Sequence, residues 1–148
     1  MDIKTLTQPN TLERYAFLWS EARLLIAALA LFLGGVPPAL YFLPSMYGVI
    51  LPLLNLAWII SGVAAAYLLY RWNAVGKKVF GTYDRKETVS FFVLVISGLN
   101  LGLAGLIGRN IGMTLSNSHT VFMLAGVVYL LTAIFLWKRW KERGERLF

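Results

Sequence analysis

Charge is missing from three long stretches of the chain. No Asp, Glu, Lys or Arg occurs between Arg23 and Arg71, between Glu87 and Arg109, or between Arg109 and Lys138. A helix needs about 20 apolar residues to cross the hydrocarbon core of a bilayer. The first gap therefore holds two crossings and the other two hold one each. The pattern predicts an all-α integral membrane protein with four transmembrane helices, near Leu24–Leu43, Tyr47–Tyr70, Thr88–Gly108 and Thr120–Trp137. Pro37, Pro38 and Pro44 with Ser45 interrupt the first gap, which places a tight hairpin turn close to Leu43–Tyr47. The first apolar run carries Glu21 and Arg23 at its mouth and is followed at once by a second span. A cleaved signal peptide does not have that pattern.

Composition agrees with the gaps. Among 148 residues, 58% are hydrophobic and only 14% charged, too apolar a mixture for a soluble domain of this size. The net charge of +7 is concentrated in two places. Arg71, Lys77, Lys78, Arg85 and Lys86 lie between the second and third spans, and Lys138, Arg139, Lys141, Arg143 and Arg146 follow the fourth. The opposite turns offer only Arg109. The positive-inside rule then puts both termini and the middle loop in the cytoplasm, with the cell membrane as the expected location. Basic residues beside a bilayer serve topology and attract anionic lipid, so the charge does not point to nucleic acid. The chain has no cysteine, which removes disulfides, thiolate chemistry and cysteine-linked lipidation.

The two basic segments resemble each other. RWNAVGKKVF, from Arg71 to Phe80, returns 68 positions later as RWKERGERLF, from Arg139 to Phe148. Arg71/Arg139, Trp72/Trp140, Gly76/Gly144 and Phe80/Phe148 are identical. This predicts one membrane domain made of two hairpin repeats, residues 1–80 and 81–148, each ending in a basic-aromatic collar. With two spans per half, the repeats have parallel topology. Convergence is the competing explanation, because Arg, Lys and Trp each favour helix ends at the interface for their own reasons.

Within the spans, Gly98, Gly102, Gly105, Gly108 and Gly112 give the third helix a run of small residues. Spacing of this kind lets another backbone approach closely. The expected use is helix packing, with part of the run covered by the first helix at Ala27, Ala28, Gly34 and Gly35 and part left for a second copy of the chain. Asn55, Ser97 and Asn100 are intramembrane polar residues that should face protein or water, since an unpaired amide in hydrocarbon is costly. Ser97 and Asn100 share a helix face and could bridge to Asn55. Glu21 and Arg23 are expected to snorkel at the interface. The alternative for Glu21 is a gating role in contact with Arg71 or Arg139.

Catalysis has little to draw on. The single histidine, His119, lies in the turn SNSH without Cys, Asp or Glu beside it, so no metal cluster or nucleophilic triad is assembled there. Ser118 or Thr120 reads as a helix cap. No cofactor or metal is expected, and an enzyme is the least expected class.

The helix ends resemble those of the GtrA-like family, small four-helix membrane proteins associated with flipping polyprenyl-linked sugars. Tyr67 precedes Arg71 and Phe135 precedes Arg139 by four residues, with Trp72 and Trp140 following, and Phe91, Phe92, Gly98 and Asn100 are similar to residues of that family's third helix. The chain departs from the pattern where Tyr70 and Lys138 replace an Asn, and where each Trp falls one residue early. The resemblance implies a translocase, or a translocase accessory subunit, for lipid-linked polyprenyl-phosphate substrates. Arg71, Lys77, Lys78, Arg139, Lys141 and Arg143 would then attract the phosphate. The alternatives are a structural subunit without a site of its own, or a small channel. The partners expected are anionic or polyprenyl-linked lipid headgroups, and either a second copy of the chain or a membrane partner subunit.

Overall fold

In a computed structural model of the chain, residues 9–35, 47–115 and 118–148 are described. They form α1 (Pro9–Phe32), α2 (Tyr47–Ala74), α3 (Arg85–Ile107), the short α4 (Ile111–Leu115) and α5 (His119–Glu142). Among the described residues, α1, α2, α3 and α5 are each long and apolar enough to cross a membrane. The turn expected near Leu43–Tyr47 lies mostly outside the described residues.

α1 is not where the charge pattern puts it. It starts at Pro9 rather than near Leu24 and ends at Phe32, so Glu13, Glu21 and Arg23 all belong to the helix. Pro is well suited to the first helical position, where its missing N–H would have no partner. The buried positions Glu13, Phe17, Ser20, Glu21, Leu24 and Ala28 recur every three or four residues, which is one face of a helix turned into the bundle. Glu21 and Arg23, placed at the mouth of the span by the charge pattern, are buried within the helix, so the span begins further toward the N-terminus.

α3 has a defined start and stop. Asp84 caps its N-terminus, its carboxylate accepting from the Lys86 and Glu87 amides at 2.6 and 3.3 Å. Those two hydrogen bonds hold the Asp84 carboxyl below the usual carboxylate range. Gly108 closes the helix in the left-handed conformation, φ 70°, with its amide on the Ala104 carbonyl. Gly108 is therefore a cap and not part of the packing ridge, and a Cβ built on it meets nothing within 4 Å. Ser118 precedes α5 in an extended conformation at the cap position.

The rest of the glycine ridge is occupied within the chain. A Cβ on Gly102 would lie 2.5 Å from the Gly62 Cα, one on Gly98 would lie 2.7 Å from the Ala65 Cβ, and one on Gly105 would lie 2.9 Å from Ile59 Cγ1. The main partner is α2, whose backbone meets that of α3 directly at Gly62 and Gly102, while α1 reaches the ridge only through the Arg23 guanidinium, 3.3 Å from a Cβ on Gly98. Dispersion at this range is a main cohesive force between helices in lipid. Gly126 on α5 faces α1 instead, where its Cβ would meet Phe32 and the Ala28 carbonyl at 3.1 and 3.2 Å. The broadest helix interfaces are α2 with α3 and α1 with α5, and α1 also touches α3 across the bundle.

Candidate functional site

The collar end is built from two matching clasps. Arg71 reaches from the end of α2 to Glu13 on α1, its Nε and Nη2 both directed at Oε1. Arg139 reaches from the end of α5 to Glu87 on α3 in the same way, Nε and Nη2 lying 2.7 and 2.6 Å from Oε1. The Glu87 side chain is fully buried and also accepts from the Thr82 hydroxyl. Each glutamate is followed four residues later by a phenylalanine, and each phenylalanine packs on the tryptophan of the other collar. Phe17 lies 5.5 Å from Trp140 and Phe91 lies 6.1 Å from Trp72, ring centre to ring centre. The indoles are thus packed among rings, Trp140 only 2% exposed and Trp72 partly buried.

Past the clasps, both collars leave their helices by one route. The Lys77 amide donates to Trp72 O and the Glu145 amide to Trp140 O, each at 2.9 Å. Gly76 and Gly144, and then Lys77 and Glu145, all have positive φ. The two segments meet where the Phe80 amide donates to Leu147 O at 2.6 Å.

These pairings change the meaning of the collar cations. Arg71 and Arg139, expected to meet phosphate, are committed to buried carboxylates. Lys141 pairs with Glu145, which also accepts from Arg14 at 2.8 Å. The Lys141 hydrogen bond, with these two cations beside it, holds the Glu145 carboxyl below its usual range. Lys77 and Arg143 are exposed, and Lys78 lies 4.9 Å over the Tyr83 ring. Among the described residues, none of these last three has a carboxylate at salt-bridge distance. Glu21 does not meet Arg71 or Arg139, because Glu13 and Glu87 already hold them.

Neither Glu21 nor Arg23 snorkels: they are 3% and 7% exposed. At about 1.5 Å per residue, Arg23 lies about 20 Å along α1 from Asn10 and about 14 Å from Phe32. The guanidinium crosses to α3, where Nη1 donates to Ser97 Oγ at 2.9 Å and Nη2 to Leu94 O at 2.8 Å. Both acceptors are neutral. Arg23 Nε and Glu21 Oε1 are buried without a hydrogen-bond partner.

Arg23 lines a cavity of about 290 Å³ between α1, α3 and α5. Ser97, Asn100, Asn110 and Tyr129 contribute its polar atoms, and Ala27, Ala30, Leu101, Phe122 and Ala125 much of its apolar wall. It runs from Arg23 toward the end of the bundle opposite the collar, where Gly35, Asn110, Gly112 and Val121 stand. Asn100 donates to Asn110 Oδ1 at 2.8 Å and accepts from the Ile111 amide at 3.0 Å, so it also holds the start of α4. An apolar cavity of about 190 Å³ lies on the other side of Arg23, between α1 and α2, beside Trp19, Ile26, Ala57 and Trp58.

Of the three polar residues expected to converge, Ser97 and Asn100 share the first cavity. Asn55 does not join them. It is exposed on α2 and has no side-chain partner among the described residues. Reading the sequence alone missed Glu13 and Glu87, although ERYAF from Glu13 and ETVSF from Glu87 repeat the same Glu-to-Phe spacing. Compared with protein-family models, curated proteins and solved structures, the chain matches none of them.

Proposed function

We propose that the protein is a translocase, or an accessory subunit of one, for lipid-linked anionic substrates of the polyprenyl-phosphate kind. Four helices that can span a membrane make it a multi-pass membrane protein. The observation that carries the finer reading is the place of the polar cavity. It lies where α1 of the first hairpin meets α3 and α5 of the second. Transporters built from two repeats place their substrate sites near the midplane between the repeats. The duplication itself is supported by the matching clasps, the reciprocal Phe–Trp contacts and the shared turn geometry of the collars. With the collar end toward the cytoplasm, the exposed Lys77 and Arg143 draw anionic headgroups to that face. The layout also agrees with the GtrA-like resemblance.

The test is binding by the purified wild-type protein in a neutral detergent, read by native mass spectrometry. A polyprenyl monophosphate should form a one-to-one adduct at concentrations where phosphatidylcholine forms none. Equal binding of both, or of neither, overturns the reading.

A second reading is carried by Asn55. Its amide stands on an exposed stretch of α2 near Leu51 and Leu56, and facing lipid it would lack partners. We propose that a second copy of the chain covers this face. Asn55→Leu should then shift the detergent-solubilised protein toward monomer in light scattering, and an unchanged mass places any contact elsewhere.

A further inference from the structure

We infer that the cavity between α1, α3 and α5 is an anion site, in which the Arg23 guanidinium binds the phosphate or carboxylate oxygen of a single-headed amphiphile inside the bundle. This deepens the function proposed above, on which it rests for the amphiphilic nature of the ligand. It moves the anion from the collar to the middle of the protein.

Charge is the first argument. Among the described residues no carboxylate lies at salt-bridge distance from Arg23, and its protein acceptors are a hydroxyl and a carbonyl. An ionised side chain at mid-depth in a membrane is costly unless paired, and such residues characteristically mark substrate or ion pathways. Glu21 is two residues away on the same helix, so it projects to a different side, and it does not line the cavity. Among the described residues Arg23 therefore has no carboxylate in contact, and Glu21 acts on it only at longer range. The collar offers no substitute, since Arg71 and Arg139 hold their own glutamates.

Geometry is the second argument. Ser97 and the Leu94 carbonyl fix the guanidinium by its two terminal nitrogens, leaving Nε–H buried and unused. A rigidly held guanidinium is the side chain best matched to a phosphate or carboxylate oxygen. Asn100, Asn110 and Tyr129 line the same space and provide polar groups for the rest of a headgroup. The remaining wall is aliphatic and aromatic, which suits the first carbons of a chain rather than a hydrated ion.

The experiment compares wild type, Arg23→Gln and Ala125→Phe in neutral detergent, with farnesyl phosphate as the titrated probe and intrinsic tryptophan fluorescence plus thermal shift as readouts. Ala125→Phe fills the cavity and leaves Arg23 untouched, which keeps the test valid if Arg23→Gln does not fold. Farnesyl phosphate should bind wild type and raise its melting temperature, and both variants should weaken binding at least tenfold. Farnesol, which has the chain and no charge, should give no shift. If wild type binds farnesyl phosphate and both variants bind it equally, the inference fails while the proposed function stands, with the headgroup at the collar. If wild type binds neither farnesyl phosphate nor a longer polyprenyl phosphate, the proposed function fails as well. If inorganic phosphate alone stabilises wild type as much as farnesyl phosphate does, the ligand is a free anion and the amphiphile is excluded.

Discussion

Gly102→Ala adds one methyl group at the tightest point of the bundle. The new Cβ would stand 2.5 Å from the Gly62 Cα. Carbon atoms rest at about 3.5–4.0 Å, so α2 and α3 would have to part by about 1 Å or more. No flexible side chain can yield, because the opposing atom is backbone. Overpacking of this sort costs about 1–3 kcal/mol, and here it would also loosen Gly98 against Ala65 and Gly105 against Ile59. Thermal or SDS-induced unfolding of the purified protein in detergent, followed by circular dichroism, reads the loss directly. Gly62→Ala should cost as much as Gly102→Ala, and the double variant less than their sum, since the helices need separate only once. Gly48→Ala is the control: it is helical, and its Cβ meets nothing within 4 Å. A Gly102→Ala protein as stable as the control would mean that α2 and α3 do not cross here. Gly102→Leu should disrupt the fold of the single chain rather than merely separate two copies.

The buried carboxylates should divide into two kinds. Glu13→Gln leaves Arg71 without its counter-charge and Glu87→Gln leaves Arg139 with only the more exposed Glu142, so both should lower the unfolding midpoint, whereas Glu21→Gln replaces a buried carboxyl that has an unpartnered oxygen and should leave the midpoint unchanged or raise it; equal losses in all three would refute the division. Asp84 and Glu145 are held below the ordinary carboxylate value, so they favour the folded state above that value and lose this effect as pH falls through their depressed ones. Proteolytic release of the C-terminal segment should therefore rise on acidification below about pH 4, and Glu145→Gln should release it already at neutral pH; a Glu145→Gln protein as resistant as wild type at pH 7 would detach the segment's docking from this carboxylate.

Much of this architecture is legible in the sequence because lipid imposes a simple rule. Charge-free stretches of sufficient length become spans, and α2, α3 and α5 lie on three of them. The rule fails at α1, where Glu13, Glu21 and Arg23 are inside the helix and buried. A charge satisfied by a distant partner looks, in one dimension, like a helix end. The glycine ridge is visible in α3, but its partner surface in α2 is made of Ile59, Ser61, Gly62 and Ala65, in which only one glycine marks the close approach. The collar arginines stand out as basic and free. Only the three-dimensional arrangement reveals Glu13 and Glu87, 58 and 52 residues away along the chain.

The Arg23–Ser97 contact bears on the direction of the whole bundle. Arg23 lies ten residues after Glu13, and Ser97 ten residues after Glu87, so the two occupy corresponding places on α1 and α3 and touch each other. Two arginines could not share that meeting point, since like charges would face one another in a medium that barely screens them. Two serines would leave the middle of the protein neutral. One of each makes the junction unsymmetrical, with a cation on α1 and a neutral hydroxyl on α3. One helix carries the charge and another steadies it, so the centre of the bundle has a charged side and a neutral side.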